Sequence, residues 1–459
     1  MVKALMYSLL IASLFACSCK SLKNRERKST SHLEGSRIET FESGDSKESP
    51  GKQSSGQPEQ DSEASFSSDG LSQSSKDIPS ETLTEKNTDS ENSMPKEHSR
   101  MVPENKEKCV EHPYWKWDGR QCVRKTFLDF CREGEFAEFS ERKLVAILSK
   151  AGEGCEETWY RLKGLQAIDL SDKKVEGIAG LGGLVQLRTL TLRNNFIKDI
   201  SPVSQFTKLN ALYLEYNKLD GLSGLEDLES LETLHISYNP DINSLYPLKN
   251  LRQLKSLQAT KTTSKDAFIF SYLTSLESLS FSGNLFADIS SLEKLINLTR
   301  LYLDDNRIES IKPIRELVNL KQLSLNDNMI NDISILANLW QISWLSLNNN
   351  ALTDLEAVRQ TDQLRSVYID KNKLNDLSPL TRHPYLEDIS VSDNPVVDVE
   401  VLCKLAKLRT LIMQNCAVRH FEPLAECFSL EFLDIRGCPG NVKEMDLFPD
   451  RYYLMTIRQ

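Results

Sequence analysis

From Leu165 onward, hydrophobic and polar positions recur with a period of 22 residues. The segments LRTLTLRNNFIKDISPVSQFTK and LTRLYLDDNRIESIKPIRELVN, which begin at Leu187 and Leu298, have apolar residues at matching offsets. One step, after Tyr238, is longer by a single inserted residue. The pattern predicts about thirteen copies of one structural unit. Their leading residues are Leu165, Leu187, Leu209, Leu231, Leu254, Leu276, Leu298, Leu320, Ile342, Leu364, Leu386, Leu408 and Leu430.

Each unit opens with a short alternating segment, which predicts a β-strand. In the second unit, Leu190 and Leu192 alternate with Thr189 and Thr191, so one face of the strand is buried and the other is exposed. A single unit cannot bury its apolar side alone, so neighbouring units must stack on one another. We therefore expect a curved solenoid with a continuous core and a parallel sheet along its concave wall.

An asparagine follows the strand in most units, where its amide can satisfy backbone groups as the chain leaves the strand. The resulting pattern, LxxLxLxxN, resembles the leucine-rich repeat, and its 22-residue form resembles the bacterial internalin class and a related phosphatase-1 regulatory subunit. The resemblance covers residues 165–443 and implies an α/β solenoid, a right-handed superhelix. Lys173 and Thr262 interrupt this ladder, and we expect irregular packing around Thr262. The ladder residues are Asn195, Asn217, Asn239, Asn284, Asn306, Asn328, Asn350, Asn372 and Asn394.

The fixed register identifies the residues that point outward from the concave wall. Large aromatic side chains are concentrated there, and exposed aromatic residues are those that binding hot spots favour. Carboxylates on the same wall indicate a protein or peptide partner with basic character. The alternative is that these side chains stack on their own neighbours. The candidate binding residues are Arg193, Tyr213, Glu215, Tyr216, His235, Tyr238, Arg300, Tyr302, Asp304, Trp344, Tyr368 and Asp370.

The N-terminus has the plan of a signal peptide, with one lysine, a short apolar run and then small residues, which predicts removal of residues 1–16. The segment LFAC at 14–17 resembles the lipobox of bacterial lipoproteins, which implies that Cys17 carries the lipid. Cys19 offers a second cleavage site, and an ordinary secretory signal is the alternative. Ser18 favours the outer membrane by resemblance to the bacterial sorting rule. Exposure at the cell surface and on the periplasmic side both remain open.

Residues 17–105 are rich in serine and poor in apolar residues, which predicts a disordered tether. Residues 106–164 are rich in aromatic residues and cysteines and include FSERKLVAILSKAG, which predicts one amphipathic helix in an N-terminal cap. The apolar and aromatic residues of the tail at 444–459 predict a C-terminal cap on the last repeat.

The cysteines of an exported chain indicate disulfides. Four near the N-terminus allow three connectivities, of which we favour Cys109 with Cys122 and Cys131 with Cys155 because each closes a short loop. A zinc site is the alternative, but no CxxC pair is present. Near the C-terminus, one-repeat spacing makes two further pairs plausible, Cys416 with Cys438 and Cys403 with Cys427.

Charge and motif content exclude several functions. A net charge of -10 provides no basic footprint for nucleic acid. An apolar span long enough to cross a membrane is not found inside the chain, so we expect membrane attachment through the N-terminal lipid only. GIAGLGG at 177–183 lacks dinucleotide-binding spacing and is interpreted as a loose turn.

We therefore expect no metal, no cofactor and no enzymatic activity. The hypothesis is non-enzymatic protein–protein recognition by the concave wall, in adhesion or receptor-like binding. The alternative is a periplasmic envelope scaffold that holds a partner protein, and an enzyme is least favoured.

Overall fold

The computed structural model describes residues 115–118, 120–133, 139–264, 266–440 and 453–454. The predicted signal peptide, Cys17, Cys19, the tether and Cys109 lie outside these residues. Of the predicted C-terminal cap, only Tyr453–Leu454 is described, as a short strand.

Two strands and three helices precede the repeats. Strand β1 (Trp115–Trp117) pairs antiparallel with β2 (Cys122–Arg124). Helices α1 (Phe127–Glu133), α2 (Phe139–Leu148) and α3 (Cys155–Leu162) follow. The prediction of a single helix was incomplete. It identified α2, whereas α1 and α3 are only 7 and 8 residues long and too short for a sustained helical period.

The repeats form one parallel sheet in which every strand pairs with its sequence neighbour. Thirteen three-residue strands, one in each predicted unit, confirm the sequence register, and β16 (Tyr453–Leu454) pairs with the last of them. Equivalent leucines face each other across the sheet, as Leu190 does with Leu212. The strands are β3 (Ala167–Asp169), β4 (Thr189–Thr191), β5 (Ala211–Tyr213), β6 (Thr233–His235), β7 (Ser256–Gln258), β8 (Ser278–Ser280), β9 (Arg300–Tyr302), β10 (Gln322–Ser324), β11 (Trp344–Ser346), β12 (Ser366–Tyr368), β13 (Asp388–Ser390), β14 (Thr410–Ile412) and β15 (Phe432–Asp434).

Short 3-10 helices form the side of the solenoid opposite the strands. The middle residue of each strand points inward to meet them, and one hydrophobic core runs from Phe127 to Ile435. A continuous hydrophobic core thus holds the repeats together. The 3-10 helices are Ala179–Leu181, Ser201–Gln205, Tyr246–Asn250, Ala267–Tyr272, Ser290–Leu292, Lys312–Ile314, Ser334–Asn338, Glu356–Gln360, Ser378–Arg382, Glu400–Lys404 and Glu422–Glu426.

The asparagine ladder joins each repeat to the one before it. Asn217 donates from Nδ2 to the carbonyls of Leu192 at 2.8 Å and Leu214 at 3.0 Å, and its Oδ1 accepts from the Ile197 N–H at 3.1 Å. The amide is buried and its polar atoms are satisfied, which an interior position requires. These asparagines are therefore scaffold residues.

The glycines of GIAGLGG let the N-terminal helices approach the first repeat. The Gly180 N–H donates to Oε2 of the buried Glu141 at 2.5 Å, and the Phe127 N–H donates to the Gly182 carbonyl at 2.9 Å. A Cβ on Gly182 would overlap the Lys125 carbonyl oxygen. The interpretation of this segment as a loose turn was wrong, because close backbone approach is what requires glycine here.

Disulfides tie both ends of the described chain. Cys131 is bonded to Cys155, Cys403 to Cys427 and Cys416 to Cys438, and Cys122 is also disulfide-bonded. The Cα–Cα distances of the three described pairs are 5.7, 4.6 and 4.9 Å respectively. Disulfides of this number are typical of proteins that fold in an oxidising, exported environment.

Candidate functional site

The first and third residues of each strand point away from the core, and we call this surface the strand face. It continues to the residues two and three positions beyond each strand. Most of its large side chains fall into two groups separated along the sheet, and Phe432 on β15 lies apart from both. The N-terminal cluster consists of Arg193, Tyr213, Glu215, Tyr216, His235 and Tyr238, and the C-terminal cluster consists of Tyr302, Trp344 and Tyr368.

A carboxylate organises the N-terminal cluster. Oε2 of Glu215 accepts from Nε of Arg193 at 3.0 Å, and Oε1 lies 3.2 Å from Nδ1 of His235. The Arg193 guanidinium also lies 4.5 Å from the centre of the Tyr213 ring, which meets the His235 ring edge-on at 4.9 Å. Burial favours a higher pKa for Glu215, but the His235 hydrogen bond, its own backbone N–H and the Arg193 charge together hold that pKa below its usual range.

Tyr216 and Tyr238 extend this cluster beyond the strand ends. Their rings stack at 4.3 Å, and Tyr216 remains 46% exposed. Nζ of Lys261, in the next repeat, lies 5.8 Å from the Tyr238 ring centre. The pair forms a flat aromatic surface open to solvent, as a binding anchor requires.

The C-terminal cluster spreads over four strands. The Trp344 ring lies 6.4 Å from the Tyr302 ring and 5.7 Å from the Tyr368 ring, both in tilted arrangements. The Tyr302 hydroxyl donates to Oε1 of Gln322 at 2.5 Å. Burial raises the pKa of Tyr302, so the phenol stays protonated and keeps this hydrogen bond.

Two of the predicted acidic contacts serve the scaffold. Oδ1 of Asp304 accepts from the Ser324 hydroxyl at 2.5 Å and from the Asn326 N–H at 2.8 Å. Asp370 accepts in the same way from Ser390 and from the Ser392 N–H, each at 2.7 Å. Burial raises the pKa of both carboxyls and outweighs these hydrogen bonds.

These contacts belong to a second ladder, which sequence reasoning missed. At the outward position two residues beyond the strand, a short polar side chain accepts from the backbone N–H of the equivalent residue in the next repeat. A recurring short acceptor at one offset was the available signal. The acceptors are Ser237, Ser282, Asp304, Asn326, Asn348, Asp370 and Ser392.

Three of the acidic candidate residues therefore do not present free charge in the way the sequence indicated. Glu215 is paired with Arg193 and His235, whereas Asp304 and Asp370 are engaged with serine hydroxyls and backbone N–H groups. These three carboxylates therefore do not support the expectation of a positively charged partner.

The irregular fifth repeat is packed tightly. Thr262 takes the asparagine position, is 3% exposed, and donates from both its backbone N–H and its hydroxyl to Oδ1 of Asn284 at 2.9 Å. A hydroxyl thus replaces part of the missing amide, which explains how the ladder continues there.

The described residues contain no group of three or more histidine, cysteine, aspartate or glutamate side chains placed to hold a metal ion. Within the same residues, no helix has the length and apolar character needed to cross a membrane.

Comparison with known proteins gives consistent matches. The family model described as "Leucine rich repeat" matches residues 185–240, and that described as "Leucine Rich repeats (2 copies)" matches 274–316 and 296–338. An internalin from Listeria monocytogenes, InlF, is 27% identical with a TM-score of 0.54, over 68% of this chain and 85% of that chain. No curated protein sequence matches the chain.

Two further solved structures are similar in fold. A leucine-rich-repeat protein from Leptospira interrogans is 23% identical with a TM-score of 0.57, over 71% of this chain and 97% of that one. A plant peptide hormone receptor, RGFR1, solved in complex with RGF2, is 20% identical with a TM-score of 0.52, over 60% of this chain and 48% of that one.

Proposed function

Because this chain is a leucine-rich-repeat protein with internalin-like repeats, we propose that it is a non-enzymatic scaffold whose strand face binds a protein or peptide ligand. The observation that carries the proposal is the grouping of large side chains into two clusters on a face otherwise made mostly of serine, threonine and other small or polar residues. Rigid aromatic groups on a preformed surface supply contact area at low entropic cost. The ligand-bound plant receptor provides support by analogy for a peptide ligand.

The decisive experiment compares two double variants of the full chain. Trp344→Ala with Tyr368→Ala removes most of the C-terminal cluster. Tyr246→Ala with Tyr272→Ala removes two exposed tyrosines of the 3-10 side and is the matched control. Each protein is immobilised, challenged with envelope and target-cell extracts, and its bound proteins are quantified by mass spectrometry, with folding checked by circular dichroism.

We expect a partner that binds the native chain and the control but is lost from the strand-face variant by about tenfold or more, as for truncated hot-spot aromatics. A partner lost only from the control would move the binding site to the 3-10 side. Absence of any partner would favour a passive envelope role.

We also propose that the scaffold is anchored in the outer membrane. In this proposal, residues 1–16 are the signal peptide, Cys17 carries the lipid, and residues 17–105 form a tether. The repeats at 165–443 are capped by residues 106–164 and 444–459, and Cys109 pairs with Cys122. The lipobox-like sequence and the disulfides of the described residues support it. Labelling with a fatty-acid analogue should be abolished by Cys17→Ala and retained in Cys19→Ala. Protease shaving of intact cells then separates surface display from a periplasmic scaffold, because the tether is cut only if it is exposed.

A further inference from the structure

Within the strands themselves, the outward positions of the described repeats hold a single permanently charged cation. Among the first and third residues of strands β3 to β15, Arg300 is the only lysine or arginine. Its side chain is exposed, and Nε donates to Oγ of Ser278 at 3.3 Å. Within the described part of the chain, no carboxylate forms an ion pair with it. The terminal nitrogens of the guanidinium thus remain available for a planar, bidentate acceptor.

Arg300 borders a shallow gap between the two aromatic clusters. The outward residues of β7 and β8 are Ser256, Gln258, Ser278 and Ser280, none of which is aromatic or charged. His235 on β6 and Tyr302 on β9 flank the gap, and three strand steps separate these strands by about 14 Å. A chain segment of roughly helix width fits between them, and its floor presents hydroxyl groups.

Arg300 is the main uncompensated charge at the gap, because the charged groups around it are already paired. On one side, Glu215 is paired with the Arg193 guanidinium and lies within hydrogen-bond distance of His235. On the other side, Asp304 is held by Ser324 and the Asn326 N–H.

The remaining charged residues around the gap lie near residues of opposite charge. Lys261 and Asp305 both border Gly283 at the rim, and Lys255 pairs with Glu232 at 2.8 Å near the start of the strands. Glu277 faces this same Lys255. A ligand that enters the gap therefore meets one unpaired guanidinium beside hydroxyl donors.

We propose that the gap receives an acidic segment of a peptide or protein ligand, with an aspartate or glutamate carboxylate bound by Arg300 and the hydroxyl floor. This inference rests on the proposed recognition function and specifies its ligand chemistry. Tyr302 and His235 contact the residues that flank the carboxylate. The preference for an acidic ligand replaces the basic partner that the sequence indicated.

The test uses a phage-displayed library of random 12-residue peptides, selected on the full chain and sequenced before and after selection. Three variants are selected in parallel: Arg300→Gln, Arg300→Lys and Arg315→Gln. Arg315 is an exposed arginine just after a 3-10 helix, so its replacement is the matched control for loss of one charge.

We expect the native chain and Arg315→Gln to enrich peptides in which aspartate or glutamate lies beside an aromatic or apolar residue. Arg300→Gln should lose this acidic preference, and a selected peptide should bind it about tenfold or more weakly, as expected for the loss of a charge-assisted pair. Arg300→Lys should retain part of the affinity, because the charge remains but the fork is lost.

The outcomes separate this inference from the function on which it rests. Enrichment without acidic residues, or equal enrichment on Arg300→Gln, would overturn the acidic site and leave the recognition function standing. Failure of the native chain to enrich any peptide would count against both. Replacing glutamate by glutamine in a selected peptide must weaken binding to the native chain and leave binding to Arg300→Gln unchanged.

Discussion

The rings of Tyr216 and Tyr238 stack face to face, with their centroids 4.3 Å apart and their planes 7° from parallel, although both residues have positive φ angles of 57° and 61°. Glycine and asparagine are the residues that adopt this conformation most readily. Equivalent positions in other repeats are occupied mostly by asparagine, aspartate and glycine, with lysine at 261 and 371. Two adjacent tyrosines are the only aromatic residues at this position among the described repeats, and each bears a backbone cost.

Replacing Tyr216 by asparagine should therefore separate stability from binding. The substitution relieves about 1 kcal/mol of backbone strain and loses a ring stack of about the same value. Thermal unfolding should shift by no more than about 3 °C, while affinity for a strand-face ligand falls. A large loss of thermal stability would show that the stack is a folding element instead.

A second prediction concerns the buried carboxyl of Asp304. Burial raises its pKa in the folded state, so the neutral form favours folding and its contribution is lost as pH rises through that raised pKa. Asp304→Asn keeps an oxygen for the Asn326 N–H but removes the charge. It should match or exceed the native stability at pH 7, and the difference should disappear toward pH 4.

Two controls accompany this variant in thermal melts at both pH values. Asp304→Ala removes the acceptor and should cost about 1–3 kcal/mol. Asp354→Asn changes an exposed aspartate that accepts from the Glu356 N–H at the start of a 3-10 helix, and it is the matched control. A native chain more stable than Asp304→Asn at pH 7 would contradict the prediction.

The repeat fold was predictable because it is written into local spacing. Leu190 and Leu212 occupy the same offset and face each other across the sheet, so the period alone places one above the other. The described disulfides follow the same logic in the repeats, where Cys416 and Cys438 are one unit apart. Helices α1 and α3 have no such period, and their position depends on contacts with glycines 177–183 that only the tertiary structure defines.

The candidate site was predictable only as a set of outward positions. The register places Arg193, Glu215 and His235 on neighbouring strands or just beyond them, but it does not say that the three form one closed group. Likewise, it does not distinguish a carboxylate in solvent from one that accepts a backbone N–H, as Asp304 does. These differences depend on side-chain torsion angles, which move polar atoms by less than the spacing between strands. Binding by these residues stays a prediction.

A third prediction arises from the buried histidine His383, which is 1% exposed and whose ring nitrogens form no hydrogen bond of regular geometry among the described residues. Burial lowers its pKa despite the nearby Asp362 carboxylate and the backbone of Thr361 and Val358, which favour the charged ring. The unfolded chain therefore takes up a proton near pH 6.5 that the folded chain rejects, and stability falls as pH drops below that value.

His383→Leu should raise stability and flatten its pH dependence, since leucine occupies the equivalent position at 339 and 405. We expect a gain of about 1–3 kcal/mol at pH 7 from removal of an unsatisfied polar ring, and a larger gain at pH 5.5. Urea unfolding at the two pH values measures both. His420→Leu, at an exposed histidine, is the matched control, and an equal effect of the two substitutions would refute the assignment to His383.

The last prediction concerns the seam between the N-terminal helices and the first repeat. A Cβ at Gly182 would overlap the Lys125 carbonyl oxygen, and one at Gly183 would lie 2.8 Å from the Trp159 ring. Backbone atoms cannot rotate away as a flexible side chain can, so Gly182→Ala must push the helices from the repeats and expose the end of the core. We expect the free energy of unfolding to fall by about 2–3 kcal/mol, as for other overpacked sites.

Hydrogen exchange should be fastest in β3 and β4, whereas β10 to β12 stay protected, because each repeat contacts only its neighbours. Gly221→Ala is the matched control, since nothing lies within 4 Å of its added Cβ, and it should leave exchange at β3 unchanged. Equal protection of β3 in both variants would show that the repeats do not depend on this seam.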